Sequence, residues 1–272
     1  MTDAQSASDD VTARLNIEVP HSARVWNYWL GGKDNYAADR ATGDKVRETY
    51  PGVVDVARQA RAFLVRAVTY LAGECGVSQF LDVGTGLPTA NNTHEVAQGV
   101  NPRARIVYVD NDPIVLAHAR ALLTSTNQGV CAYIDADVRD PGYILERAGR
   151  TLDFTQPVGL MMLGILGNIS DYGQANAILK ILLDGVPSGS YLVLNDGTNV
   201  IRPEAAAEAA RIRAEAGDPY YLRTPEEITG FFSGLELLEP GVVSTSHWRP
   251  GHLWGEQLPP PVNSYCGVAR KP

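Results

Sequence analysis

Three carboxylates stand at the ends of short apolar runs in the first half of the chain. Asp82 lies in Gln79-Phe-Leu-Asp-Val-Gly-Thr-Gly86, Asp110 follows Ile106-Val-Tyr-Val109, and Asp137 follows the run from Val130 to Ala136. Ligands of open α/β sheets bind beyond the carboxyl ends of parallel strands, so three acids at three such ends describe one site. Gly84 and Gly86 predict a turn in which backbone N–H groups, that of Thr85 among them, close on a polar ligand ahead of a helix. Asp82, two residues before the first glycine, sets the sign of that ligand: a carboxylate repels a pyrophosphate and attracts an ammonium group. Asp110 comes 26 residues after Gly84, near the roughly 20-residue offset at which a strand-end acid meets a ribose. The third glycine of a dinucleotide fingerprint is missing. Thr89 holds its place, and Pro88 fits the first turn of a helix, where no N–H donor is needed.

An ammonium at one end and a ribose at the other match S-adenosylmethionine (SAM) better than a nicotinamide dinucleotide. Asn111, Val138 and Leu163 flank the same strand ends, and Arg61, on a preceding helix, is placed to meet a carboxylate. With Asp82, Gly84, Thr85, Gly86, Asp110 and Asp137 they form the expected cofactor set. Methyl transfer from a sulfonium depends mainly on placing donor and acceptor in line, with a base only where the acceptor carries a proton. It therefore has no obligatory catalytic motif, and no acids or histidines show metal-ligand spacing.

Asp196, after the fifth apolar run, and His247, in a late loop with Trp248, Arg249, His252 and Trp254, are the candidate bases. The aromatic and polar stretch Trp26, Tyr28, Trp29, Lys33, Asp34, Asn35 and Tyr36 predicts a lid that closes over the cofactor and excludes water. Tyr28, Lys33, Asp34 and Asn35, together with Asn168 and Tyr220, are the candidate acceptor contacts, and Tyr221 and Arg223 extend that wall. Plainer roles compete: Trp26 and Trp29 packing a helix onto the sheet, a solvated loop histidine, Arg58 as surface charge.

The elements that must hold these residues follow from periodicity. Residues 1–20 predict a disordered tail and 21–75 a helical cap, with helices near 22–30, 36–50 and 53–73; Gly31-Gly32 stops the first and Pro51 the second. Val56, Phe63, Leu64, Ala67 and Leu71 recur at helical spacing on the third. Residues 76–272 then alternate strand and helix, which predicts a parallel sheet. Strands are expected near 79–83, 105–110, 130–136, 157–163 and 189–195, and the intervening helices near Thr89, Pro113 (through Leu116, Ala119, Arg120 and Leu123), Pro141 and Asp171. Pro203 and the capping box Thr224-Pro-Glu-Glu227 open two more helices, the second ending near Gly234. Strands at 235–243 and 264–269, joined by a loop, should pair antiparallel. The expected fold is α/β: a Rossmann-like, seven-stranded, mostly parallel sheet with an antiparallel last strand and an N-terminal helical lid.

On these segments the chain resembles the class I SAM-dependent methyltransferases, and more narrowly an actinobacterial S-adenosyl methyltransferase family formerly of unknown function. The matching pieces are Ser22-Ala-Arg-Val-Trp-Asn-Tyr-Trp-Leu-Gly-Gly-Lys-Asp-Asn-Tyr-Ala-Ala-Asp-Arg40, Arg61-Ala-Phe-Leu64, Phe80 to Ala90, Tyr108-Val-Asp-Asn-Asp-Pro113, Trp248-Arg-Pro250 and the closing Gly267-Val-Ala-Arg-Lys-Pro272. The resemblance implies SAM as cofactor and names no acceptor. One departure stands out: after the fourth strand members often read Val-Leu-His-Phe, whereas this chain has Ile165-Leu-Gly-Asn168. A base or acceptor contact borrowed from that histidine is not available here.

The whole chain sets the outer bounds. Its 272 residues, 44% hydrophobic, suit one domain with a helical addition. A net charge of −8, with 23 basic residues scattered among 31 acids, argues against a nucleic-acid partner, which needs a clustered basic surface. Cys75, Cys131 and Cys266 lie far apart with no metal-like spacing and read as reduced thiols. No segment has the length and apolarity of a membrane span, and no apolar leader precedes the first helix, so a cytoplasmic location is expected. The expected partner is a small-molecule acceptor, with no nucleic acid and no membrane; a homo-oligomer stays open. A catalytically silent SAM sensor or scaffold is the main alternative function, and an NAD-dependent oxidoreductase the weaker one.

Overall fold

The structure, a computed structural model, describes residues 16–115, 126–251 and 258–272. Among these, eight strands form one sheet: β1 (Gln79–Val83), β2 (Arg105–Asp110), β3 (Val130–Asp135), β4 (Gly159–Leu163), β5 (Tyr191–Gly197), β6 (Glu236–Leu237), β7 (Val243–Ser244) and β8 (Ser264–Arg270). Their order is β3-β2-β1-β4-β5-β8-β6, with β7 also on β8. The first five are parallel, and β8 runs antiparallel to β5, β6 and β7. Leu81 pairs with Val107 on one side and Leu160 on the other. The strand order reverses between β1 and β4, and the crevice beyond that switch point is where open α/β sheets bind ligands.

The central strands are apolar on both faces because helices cover both. Side chains alternate. Phe80, Ile106, Tyr108, Met161 and Val193 pack under α3 (Val53–Gly73) and α4 (Thr93–Val100). Leu81, Val107, Leu160, Met162 and Leu194 face α5 (Pro141–Ala148) and α6 (Tyr172–Asp184) on the opposite side. Among the described residues two helices precede α3: α1 (Ser22–Trp29) and α2 (Ala37–Thr49). With α3 and α7 (Pro203–Glu215) they enclose a separate apolar cluster containing Val25, Trp29, Val46, Tyr50, Val56 and Ala209. The last helix among the described residues, α8 (Pro225–Gly230), opens on the expected capping box, with reciprocal bonds of 2.8 and 3.2 Å between Thr224 and Glu227.

Several expectations shift. The strand at 235–243 is two two-residue strands, because Glu239-Pro240-Gly241 sits in a turn closed by the Gly241 N–H on Leu238 O at 2.8 Å; proline has no N–H to give a ladder. The helix expected near Thr89 starts at Thr93 instead. Asn92 takes the cap position, its N–H donating to Glu95 at 2.7 Å, and its side chain exchanges bonds with the Thr89 backbone. Pro88 therefore lies in a loop. Residues 113–115 are helical, and the rest of the helix expected there, with His118, falls outside the described residues, as do His252 and Trp254. Helix α8 stops at Gly230, short of Gly234, where turns take over. Residues 16–20, expected in the tail, are fastened: the Arg24 guanidinium donates to Asn16 O and Val19 O at 3.1 and 2.7 Å.

Candidate functional site

At the switch point the ends of β1 to β5 open into a cavity of about 310 Å³, within the range of small-ligand sites. Its floor is the glycine turn. Gly84, at φ +74°, takes a conformation that favours glycine, and a Cβ there would stand 2.5 Å from Ile165. The N–H groups of Gly84 and Thr85 donate to Val109 O at 2.8 and 3.2 Å, and that of Gly86 donates to Asp110 Oδ2 at 2.8 Å. Contrary to the expectation from sequence, these donors are spent inside the protein and form no anion nest. Gly86 tethers the turn to Asp110 instead.

The acids are thereby oriented. Asp82 accepts from the Thr93 hydroxyl at 2.6 Å, and Asp110 Oδ1 accepts from the Asp112 N–H at 2.9 Å. Burial pushes Asp82 up to about 6, against the opposing pull of Thr93 and of Arg61. Burial likewise raises Asp110, while its two backbone donors hold it down. Arg61 is lowered by burial and held charged chiefly by Asp82. Asp137 accepts from the Arg139 N–H at 2.8 Å, its guanidinium at 2.9 Å and Asn111 at 3.3 Å. Each carboxylate oxygen keeps a further lone pair. The floor therefore suits a ligand that brings donors, as the ammonium, ribose hydroxyls and adenine amine of SAM do. Its glycine turn has no N–H donors left for a pyrophosphate.

The roof comes from the N-terminus. Pro20, His21, Ser22, Ala23, Trp26 and Asn27 line the cavity. His21 Nδ1 lies 3.1 Å from Asp112, and Arg24 is paired with the buried Asp39 at 3.2 Å. Arg213 on α7 completes the closure. It is buried, paired with Asp218 at 2.6 Å, bonded to Ser22 Oγ at 3.0 Å, and lies over the Tyr220 ring at 4.9 Å from its centroid.

Tyr220 ends the cavity on the β5 side. Its hydroxyl donates to Asp196 Oδ1, which also accepts from the Gly197 N–H at 3.0 Å. Burial pushes Asp196 up to about 6, with the Tyr220 hydrogen bond the largest opposing pull. Gly167 explains the departure after β4: a Cβ there would meet the Tyr220 ring at 2.3 Å. Tyr220 fills the space that a side chain at 167 would need.

Arg61, Asp82, Gly84, Thr85, Gly86, Asp110, Asn111, Asp137, Val138, Leu163, Asn168 and Tyr220 all line this one cavity. Asp196 sits behind Tyr220 rather than on the wall. Tyr28, Lys33, Asp34 and Asn35 do not reach it. Tyr28 donates to Asp44 at 2.7 Å, the Asp34 N–H and the Asn35 amide are held by Asn27 at 3.1 and 3.0 Å, and Lys33 is exposed. Hydrophilicity at a helix stop here serves the turn. His247 does not line the cavity: it bonds to Pro259 O at 2.8 Å, and the neighbouring Trp248 packs on Phe63 and Tyr70 in the core between α3 and the sheet. Arg58 pairs with Asp55 on the surface. Sequence reasoning missed His21, Ser22, Arg213, Asp218 and Asn195. Arg213 carries a signal: with Ala206 and Ala209 it falls on one helical stripe, and a cation on an apolar stripe marks a buried ion pair.

Comparison with known proteins agrees with the geometry. Residues 8–272 match the family model described as S-adenosyl methyltransferase. A DUF574 family protein from Streptomyces avermitilis is 44% identical, over 94% of this chain and 100% of that one, with a TM-score of 0.90. A putative methyltransferase from Thermobifida fusca is also 44% identical, over 93% and 96%, with a TM-score of 0.85. The magnesium protoporphyrin IX methyltransferase of Synechocystis, solved with bound S-adenosylhomocysteine (SAH), shares the fold at 13% identity, over 91% and 93%, with a TM-score of 0.52. No match is found among curated proteins. The chain belongs to the S-adenosyl methyltransferase family, an α/β fold whose cofactor is SAM.

Proposed function

We propose that the chain is an active methyltransferase whose acceptor is a small molecule. The observation that carries this is the roof: α1 closes the cofactor cavity from above and is rooted in its own apolar cluster, so the reacting atoms lie in a chamber of small-ligand size. Charge points the same way. Arg61, Arg139 and Arg213 at the site each stand beside an acid, Asp82, Asp137 and Asp218, which leaves no basic track for a nucleic acid.

In this reading Asp82 holds the ammonium end of the cofactor, with Arg61 near its carboxylate, Asp110 the ribose, and Asp137 with Val138 the base. The bound cofactor supplies an electrophilic methyl group on a sulfonium. The acceptor's lone pair bonds to that carbon, the C–S pair returns to sulfur, and any proton on the attacking atom leaves to a base. The protein contributes orientation and exclusion of water. Residues 21–75 act as the cap of the domain formed by 76–272.

Among the described residues no helix is long and apolar enough to cross a membrane. Cys75, Cys131 and Cys266 form no disulfide, which supports a reducing, cytoplasmic compartment.

Incubation with methyl-tritiated SAM and, separately, the small-molecule, RNA and protein fractions of an actinobacterial lysate tests the proposal. Label should enter the small-molecule fraction. Label in RNA or protein would overturn the acceptor class, and bound SAM with no transfer to any fraction would favour the silent sensor.

A further inference from the structure

Past Tyr220 lies a second cavity of about 80 Å³ that shares Trp26, Gly164, Asn195, Arg213 and Tyr220 with the first. The two are adjoining chambers with Tyr220 as the partition. The walls of the second are mostly apolar: Trp29, Tyr50, Val53, Val56, Ala206 and Ala209 converge on it from α1, α3, α7 and the residue after α2.

One strip of that wall is polar and unsatisfied. Asn195 and Thr198, at the end of β5 and just past it, line the chamber. Asn195 Oδ1 and Thr198 Oγ1 are buried with no hydrogen-bond partner, and Asp196, between them, lies behind the wall. The other atoms of these side chains are engaged. The Asn195 amide donates to Ser264 Oγ at 2.9 Å, and Asp196 Oδ1 accepts from Tyr220 and Gly197. An unpartnered buried polar atom is costly, and in a folded protein it calls for an explanation. Here two occur within four residues on one chamber wall.

The Asn195 amide oxygen can only accept, and the Thr198 hydroxyl oxygen can accept as well, so the missing partner is a donor. An anionic ligand is excluded by the same acceptors. A protonated amine would satisfy them but has no lone pair for a methyl group. A hydroxyl has both the proton and the lone pairs.

We infer that the second chamber is the acceptor subsite and takes a ring-sized apolar alcohol or phenol, its hydroxyl turned toward the end of β5. This rests on the small-molecule reading above. On transfer the hydroxyl oxygen bonds to the methyl carbon, the C–S pair returns to sulfur, and the hydroxyl proton is taken by the Tyr220–Asp196 pair.

The test uses the full chain saturated with SAH, with 4-ethylphenol and its hydroxyl-free counterpart ethylbenzene as probes, followed by NMR titration. The SAH-loaded protein should bind 4-ethylphenol at least about fivefold more tightly than ethylbenzene. Ala209→Phe fills the chamber from α7 and should weaken 4-ethylphenol at least about tenfold, with SAH affinity within about twofold. Tyr220→Phe keeps the ring and should bring the two probes close to parity, a change that lost packing alone would not produce. Failure of 4-ethylphenol to bind the SAH-loaded protein, absence of a preference for it, or unchanged binding in Ala209→Phe that still holds SAH would each overturn the inference. If SAH itself does not bind the unaltered chain, the reading beneath it falls instead.

Discussion

The two ends of the site treat polar groups in opposite ways. At the β1–β3 end the acids are hydrogen-bonded before any ligand arrives: Asp82 to Thr93, Asp110 to Gly86 and Asp112, Asp137 to Arg139. At the β5 end Asn195 and Thr198 each keep a buried atom without a partner on the wall of the second chamber. The first end is pre-oriented for one ligand of fixed chemistry. The second carries a standing cost that only a bound donor removes. The difference is that between a site for a cofactor, the same in every turnover, and a site whose occupant must be selected.

The largest effect should come from challenging the cofactor end with the wrong ligand. Because Gly84, Thr85 and Gly86 spend their N–H groups on β2, a pyrophosphate finds no donor in the glycine turn and meets Asp82. Calorimetry should show SAH binding at least about a hundredfold more tightly than NAD, a gap of roughly 3 kcal/mol; comparable affinities would break the contrast at its root. Asp110→Ala comes next. It removes acceptors for the ribose and the tether on Gly86, so SAH should weaken by roughly ten- to a hundredfold, the scale of about 1.5–3 kcal/mol for a hydrogen bond to a charged group. A folded Asp110→Ala variant with unchanged affinity would remove this acid from the site.

A pH titration sharpens the comparison further. The groups that act on Asp82 are Arg61 from α3, Thr93 from α4, Tyr108 and Asp110 from β2, Tyr133 from β3 and Thr85 from its own turn. Burial dominates them and raises the acid to about 6. An ammonium ligand needs the ionised form, so affinity should rise with pH through that value and be lost below it. Between pH 7 and pH 5 SAH should weaken by about tenfold, and Asp82→Asn should flatten the profile at the weaker level. A profile that stays steep in Asp82→Asn would assign the titration to Asp110, which burial also raises.

The same contrast explains what the sequence made legible. The cofactor end is written locally: each acid follows its own strand, and the chemistry of one fixed ligand dictates the residue types. Parallel strands, the helix on Pro203 and the capping box at Thr224 follow equally from short-range pattern. The acceptor end is assembled from distant pieces. Tyr220 reaches Asp196 because Gly167 gives it room, and Arg213 meets Ser22 across 191 positions. No local pattern announces such meetings. The Lys33-Asp34-Asn35 cluster misleads for the converse reason: its polarity satisfies a turn around Asn27, and turn chemistry resembles site chemistry when only composition is visible. His247 misleads because the loop that carries it is anchored by Trp248 in the core under α3, and its ring is taken up by Pro259 O.

The smallest expected effect concerns α1, read from sequence as a segment that swings shut. Its place as the roof holds; the swing is at odds with its packing. Val25 is fully buried, Trp29 donates to Gly43 O at 3.2 Å, and Arg24 lies on Asp39 with both side chains almost inaccessible. Lifting the helix would expose that cluster and uncouple a buried ion pair, a loss of about 3–5 kcal/mol for the pair alone. Such an opening is rare in the free protein, so a ligand has little exchange left to suppress. Hydrogen exchange at residues 24–29 should therefore slow by less than about threefold on SAH binding, because both states already hold the helix closed. The change should concentrate in residues 20–23, where His21 and Ser22 meet the site through single exposed or half-buried contacts. Slowing of more than about tenfold across 24–29 would mean that the apolar cluster opens readily after all. The helix would then be a gate, and the roof would belong with the unsatisfied end of the site, completed only when a ligand is present.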